Sequence, residues 1–261
     1  MRARRYLALA AVATVLTAGQ SASAAGPRAV IELFTSQGCS SCPPADRLLA
    51  EMAQDPTLIP LSLPIDYWDY LGWKDTLALA GHANRQKAYS RVRGDHDVYT
   101  PQAVINGSVQ ALGSDRGAIE HAIAQSRSNA ATLSLPLTLS IADGRLTVAA
   151  PAAKGDSRSD VAQAEVWLCP LARSVEVAIN RGENSGHTFT YHNVVRRWVK
   201  LGDWNGQAAT WSIPVANFKS DGVDAVAVVL QSGVAAAPGA MLGAAMTSLD
   251  ANEAATKPAK R

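Results

Sequence analysis

The chain has 261 residues, 48% of them hydrophobic and 18% charged, enough apolar material for packed cores. Its 24 basic against 22 acidic residues include Arg2, Arg4 and Arg5; without residues 1–24 the balance is 21 against 22. That near-neutral remainder gives no electrostatic reason to expect nucleic acid or an anionic membrane as partner.

Residues 1–24 read as a secretory signal peptide: three arginines, an uncharged apolar run from Tyr6 to Ala18, and the small-x-small pattern Ala22-Ser23-Ala24. The apolar run is too short to span a bilayer, so the expected product is exported, periplasmic or secreted, and soluble after cleavage. The remaining 237 residues allow one large domain or two ordinary ones. An oxidising compartment permits disulfides and also houses the enzymes that shuffle them. Three cysteines, Cys39, Cys42 and Cys169, are too few for a disulfide framework.

Residues 28–127 alternate strand and helix signals. An apolar run, Ala29 to Phe34, leads into Thr35-Ser36-Gln37-Gly38-Cys39-Ser40-Ser41-Cys42-Pro43-Pro44-Ala45-Asp46. Behind it Ala45, Leu48, Leu49 and Met52 recur as one helix face, so the cysteines fall at a strand-to-helix turn. A second strand over Leu58 to Asp66 precedes the aromatic segment Asp66 to Lys74. A helix over about Leu77 to Val92, with a break at Gly81, follows. Ala103-Val104-Ile105 and Ser108 to Leu112 flank Asn106-Gly107, the strongest short hairpin signal in the chain. Ser114 is the expected cap of a last helix whose Ala118, Ile119, Ala122 and Ile123 share a face.

Residues 126–131 turn small and polar, as a linker does, and from residue 132 to 250 the period becomes two. Leu133, Leu135, Leu137 and Leu139 alternate with polar residues and Pro136, an edge strand that turns at Asp143-Gly144 into Arg145 to Ala149. Further strands are expected at Glu165–Cys169, Ser174–Ile179, His187–Tyr191, Val194–Leu201, Thr210–Val215 and Ala225–Leu230. Short strands at this spacing predict a β-sandwich-like domain. Residues 251–261 read as a disordered tail. The fold class is therefore α/β plus all-β.

The order β-α-β-α-β-β-α, Cys39-Ser40-Ser41-Cys42 at a helix start, Thr100-Pro101 before the hairpin and Asn106-Gly107 at its turn resemble the thioredoxin superfamily. Glu32 to Pro44, Asp66-Tyr67-Trp68-Asp69, Tyr99-Thr100-Pro101-Gln102 and Arg181-Gly182-Glu183-Asn184 resemble the DUF1223 family of secreted bacterial proteins. The first half is thus expected to be a thioredoxin-like domain. The resemblance implies that Pro101 is cis and packs against the dithiol, leaving the Thr100 backbone free to pair with an extended substrate.

A Cys-x-x-Cys at a helix start has its own physical logic. Unpaired backbone N–H groups and the positive helix end favour the thiolate of the first cysteine, and the second lies within bonding reach. Cys39 is then the attacking and Cys42 the resolving thiol. Pro43-Pro44 and Ser40-Ser41 depart from ordinary thioredoxins, whose proline lies between the cysteines. Glu32, a carboxylate in an apolar strand, is a candidate proton relay to Cys42, as an acid near this place is in thioredoxins; its register differs by about one residue, and a solvent-facing or salt-bridged glutamate is the alternative. Tyr67, Trp68 and Trp73 are candidate substrate-platform residues, with packing as the alternative. Cys169 reads as a small buried hydrophobe. These residues point to a thiol-disulfide oxidoreductase with no bound cofactor and a protein or small thiol or disulfide as partner. Two other readings stay open: a non-catalytic binding or scaffold protein with a structural Cys39–Cys42 disulfide, and a protein that holds a soft ion such as Cu(I) on the two thiolates.

Overall fold

The computed structural model describes residues 26–153 and 163–249; the expected signal peptide and the tail from 251 lie outside the described residues. Seven elements form the first half in the expected order. They are β1 (Ala29–Thr35), α1 (Pro43–Met52), β2 (Leu58–Pro64), α2 (Ala80–Arg93), β3 (Gln102–Ile105), β4 (Val109–Leu112) and α3 (Arg116–Ser126). β1 pairs parallel with β2 and antiparallel with β3, which continues into β4. Both central strands are buried along their whole length, which is why they read as unbroken apolar runs. Side chains of a strand alternate between faces. Ile31 and Leu33 of β1 therefore meet Leu48 and Leu49 of α1 and Ile119 and Ile123 of α3, while Val30 and Phe34 meet Ala83 and Tyr89 of α2.

The hairpin turns where expected, with Asn106 and Gly107 both at positive φ, 50° and 74°. A Cβ at position 107 would also stand 2.5 Å from the Gly239 carbonyl, so packing as well as turn geometry requires glycine there. Two local expectations are corrected. α2 is continuous through Gly81, which falls in its first turn where a missing side chain costs little helix, and α3 is capped by Asp115, whose carboxylate accepts from Ala118 N at 2.9 Å, rather than by Ser114.

The second half supplies β5 (Thr138–Ala142), β6 (Arg145–Ala150), β7 (Ala164–Ile179), β8 (His187–Val195), β9 (Val199–Trp204), β10 (Ala209–Pro214), β11 (Ala225–Val234) and β12 (Ala237–Ser248). Strands β10-β6-β5 form one antiparallel sheet. The rest join the first half in a nine-stranded mixed sheet, β12-β11-β7-β8-β2-β1-β3-β4, with β9 also on β7. The small sheet packs on the large one through Leu146, Val148, Val166, Leu168, Val228 and Leu230, so the β-rich half is two-layered. The fold is thus α/β plus β-rich, as the sequence patterns predict. β2 and β8 carry the sheet between the halves through the pair Ser62 and Val194, and Asn193 adds a bond to the Pro60 carbonyl at 3.0 Å.

β7 differs from expectation by being one strand of 16 residues rather than two. Pro170 is tolerated because its carbonyl, which accepts from Arg196 N at 2.9 Å, faces the gap between β9 and β8. N–H and C=O of one extended residue point the same way, so the donor that proline lacks is missing where no ladder partner exists. Leu133 and Leu135 lie beside β12 without forming a regular strand, bonding the carbonyls of Met241 and Leu242. Among the described residues no helix is long and apolar enough to cross a membrane.

Candidate dithiol site

Cys39 and Cys42 are joined by a disulfide at the turn between β1 and α1, with Cα atoms 5.4 Å apart. Cys39 is 5% exposed and Cys42 fully buried. Cys42 is the N-cap of α1, and Pro43 and Pro44 open the helix. Prolines suit the first turn because its N–H groups have no helical acceptor. They also alter the expectation of free backbone donors facing Cys39. Neither proline has an N–H, and the next two, of Ala45 and Asp46, bond the Cys42 carbonyl at 2.9 and 3.1 Å. The Ser41 hydroxyl lies 3.3 Å from Cys39 Sγ and 3.5 Å from the Thr100 carbonyl, to which it donates.

The Thr100–Pro101 peptide bond is cis, and Pro101 is buried. This segment is held from two sides. Gln86 of α2 donates to the Tyr99 carbonyl and to Gln102 Oε1, both at 2.8 Å, and Trp68 Nε1 donates to Thr100 Oγ1 at 2.7 Å. Trp68 also packs on Gly38, and Trp73 Nε1 donates to Gln37 Oε1 at 2.8 Å. Trp68 and Trp73 therefore hydrogen-bond the segment facing the dithiol and the dithiol turn itself. Tyr67 donates to Gln86 at 3.2 Å, lies within reach of the Thr100 side chain, and packs at a tilt on Trp68. Tyr70, 75% exposed, stacks on the same indole at 6.0 Å, so the surface here is aromatic.

Glu32 is buried but faces away. It lies on the Val30 and Phe34 side of β1, where it pairs with Arg85 Nε at 2.6 Å and accepts from the Tyr89 hydroxyl at 2.6 Å. Thr35, an odd number of residues on, faces α1. A difference of one residue in register moves a strand side chain to the opposite face, so Glu32 occupies the salt-bridged alternative and not a position behind Cys42.

The acid on the cysteine side is Asp46, on the helix face of Cys42 at i+4. It is buried; Oδ2 accepts from Thr35 Oγ1 at 3.1 Å and Oδ1 has no hydrogen-bond partner among the described residues. Burial pushes its carboxyl up to about 7; the Thr35 hydroxyl opposes that rise, and the charge of Asp75 adds to it. Asp75 accepts from the N–H groups of Gln37 and Leu77, both at 2.8 Å, and burial lifts it to about 6 against those bonds. Tyr191 of β8 is raised by burial and by the same two acids, which marks it as their neighbour. The signal available in the sequence was the i, i+4 spacing of Cys42 and Asp46 together with Thr35, one residue after the apolar run.

The loop between β7 and β8 covers the turn from the other half of the chain. Asn184 is buried and donates to the carbonyls of Gln37 at 2.9 Å and Cys39 at 3.0 Å; Glu183 accepts from Ser40 N at 3.3 Å. Gly182, at φ 77°, lies against Trp73, where a Cβ would approach the tryptophan's own Cβ to 3.2 Å. Arg181 to Asn184 is thus part of the site. Cys169 is buried and free, its thiol raised by burial, in the core cluster of Val30 and Phe34. Among the described residues no group of three or more His, Cys, Asp or Glu side chains is placed to hold a metal ion.

The fold and site define a protein with an α/β half and a β-rich half, in which a cysteine pair at a strand-to-helix turn is clasped by a hairpin of the β-rich half. The chain belongs to the DUF1223 family, whose model, described as "Protein of unknown function (DUF1223)", matches residues 30–231. A crystal structure of a protein from Agrobacterium tumefaciens is similar, with a TM-score of 0.74 at 32% identity, covering 85% of this chain and 94% of that one. HBP35 of Porphyromonas gingivalis has a TM-score of 0.57 at 14% identity over 86% of this chain and 76% of that one, a likeness of fold alone. A comparison with curated proteins finds no match.

Proposed function

We propose that the chain is an exported, thioredoxin-like thiol-disulfide oxidoreductase acting on disulfides or dithiols of a protein partner. The observation that carries this reading is the unequal burial of the two cysteines, Cys39 5% exposed and Cys42 fully buried. A partner sulfur can reach Cys39 alone, so the mixed disulfide forms there and Cys42 resolves it. In the oxidising direction a partner thiolate attacks Cys39 Sγ, and the Cys39–Cys42 bond breaks with its electron pair going to Cys42, which takes up a proton. The partner's second thiolate then attacks the partner sulfur of the mixed disulfide and releases Cys39 as thiolate. Two electrons pass to the protein and the partner leaves oxidised. The reverse sequence reduces a partner disulfide.

Asp46, one turn beyond Cys42 and near neutral in its titration, supports the proton step at Cys42. The Thr100 N–H has no hydrogen-bond partner among the described residues and supports pairing with an extended segment. The Trp68 and Tyr70 rings supply an apolar platform beside it. Export follows from the reading of residues 1–24.

A fixed disulfide in a binding scaffold is the second reading, favoured by the Asn184 bonds that hold the turn from outside. Trapping separates the two. Cys42→Ser should accumulate mixed disulfides with a partner through Cys39, and Cys39→Ser should not. Equal trapping by both variants, or by neither, contradicts the proposed roles.

A further inference from the structure

One face of α2 is left uncovered by the core, and it lines an open cleft of about 380 Å³ shared with the β-rich half. No residue of the dithiol turn lines it. Its walls are mostly carbon: Ala88 of α2, Trp167 of β7, Trp198 between β8 and β9, and Ala236 in the β11–β12 turn. The two indoles meet edge to face at 6.3 Å. The wall is braced from behind by Glu165, which accepts from Trp167 Nε1 at 3.2 Å and from Ala235 N at 2.9 Å, and whose charge is met by Lys200 at 2.7 Å.

Among the described residues that line this cleft, two are cations and none is an acid. The guanidinium carbon of Arg85 lies over the Trp198 ring, 4.1 Å from its centroid. Its Nε is bound to Glu32, and its Nη2 to the Tyr89 hydroxyl at 2.6 Å and Gln231 at 2.8 Å. Nη1 takes part in none of these bonds, so a side chain only 9% exposed keeps one donor nitrogen, with both of its N–H groups, unused. The positive charge of Arg85 is already balanced by Glu32. Arg91, six residues further along the helix and exposed, has no ion pair among the described residues and adds one uncompensated positive charge. Apolar walls with one net positive charge and one fixed donor select an apolar body that bears a single negative group.

We propose that this cleft is a binding site for an organic monocarboxylate, its carboxylate met by Arg91 and Arg85 Nη1 and its apolar body lying against Trp167, Trp198 and Ala88. The site is independent of disulfide exchange at Cys39. 2-Naphthoate is a suitable probe, titrated calorimetrically into the whole chain beside the neutral 2-naphthylmethanol. The carboxylate should bind saturably and at least about tenfold more tightly than the alcohol, since each tenfold is the 1.4 kcal/mol scale of one charge-assisted contact. Arg91→Gln, an exposed substitution that leaves the fold alone, should remove most of that preference. Ala236→Trp, at an exposed turn, should block both probes. Absence of saturable naphthoate binding, equal binding of acid and alcohol, or binding indifferent to both substitutions would each overturn the proposal.

Discussion

Replacing Asp46 by asparagine puts a neutral side chain of the same shape where the chain buries an acid, and its effect on stability should reverse sign with pH. Burial raises this carboxyl from its ordinary 3.8 to about 7 in the folded protein. Between those values the folded state holds a proton that the unfolded state has lost, so stability is complete below about pH 4 and falls as pH rises toward 7. At about 1.4 kcal/mol per pH unit, over roughly three units, the loss reaches about 4 kcal/mol by pH 8. The variant is spared it. Its new amide can still accept the Thr35 hydroxyl through the carbonyl oxygen, but the amide nitrogen takes the place of Oδ1, which has no partner among the described residues, at a pH-independent cost of about 1–3 kcal/mol. Asp46→Asn should therefore be the less stable protein at pH 4 and the more stable at pH 8. Urea unfolding of the oxidised proteins by far-ultraviolet circular dichroism at pH 4, 5, 6, 7 and 8 reads the difference. An equal stability difference at pH 4 and pH 8 would refute the assignment of a buried, raised carboxyl.

Asn184→Ala strips the partner from two buried carbonyls of the dithiol turn and should cost about 1–3 kcal/mol in urea unfolding. It should also speed alkylation of Cys39 in the reduced protein, since the hairpin no longer holds the turn; an unchanged alkylation rate would mean that the loop does not restrict access. Glu32→Gln leaves the buried Arg85 without its carboxylate and should destabilise by about 3–5 kcal/mol. Because Glu32 faces α2, the pH profile of disulfide exchange should keep its midpoint, whereas Asp46→Asn should move it; the opposite pattern would return the relay to Glu32.

The parts of this fold that the sequence announces are those specified locally. β1 and β2 are buried on both faces and read as apolar runs, α1 repeats its apolar residues at helix spacing, and Asn106-Gly107 and Asp143-Gly144 mark turns because few other residues accept positive φ. What is not local leaves no such mark. β12, built largely of Ala, Gly and Met, has little strand propensity of its own and is ordered by pairing with β11 along its length. Pro170 looks like a strand break until β8 and β9 are known to leave a gap beside it. The dithiol was legible as a spacing, but Asn184 and Asp75 reach it from 145 and 38 residues away along the chain, through Cys39 and Gln37, and no local pattern records such contacts. Glu32 and Asp46 are both buried, Glu32 on the side of Arg85 and Asp46 on the side of Thr35 and the dithiol, and the side a buried acid takes is set by register and packing that no local pattern records.

The central claim is that Cys39 and Cys42 exchange with partner thiols, and its most direct measurement is the reduction potential of the pair. The whole chain is equilibrated in dithiothreitol and glutathione buffers of graded potential, and the two states are counted by mass shift after alkylation. Exchange predicts a midpoint within the span of known disulfide oxidoreductases, from about −120 to about −270 mV. A midpoint well below about −300 mV would mark a disulfide that partners cannot open, and would contradict the account.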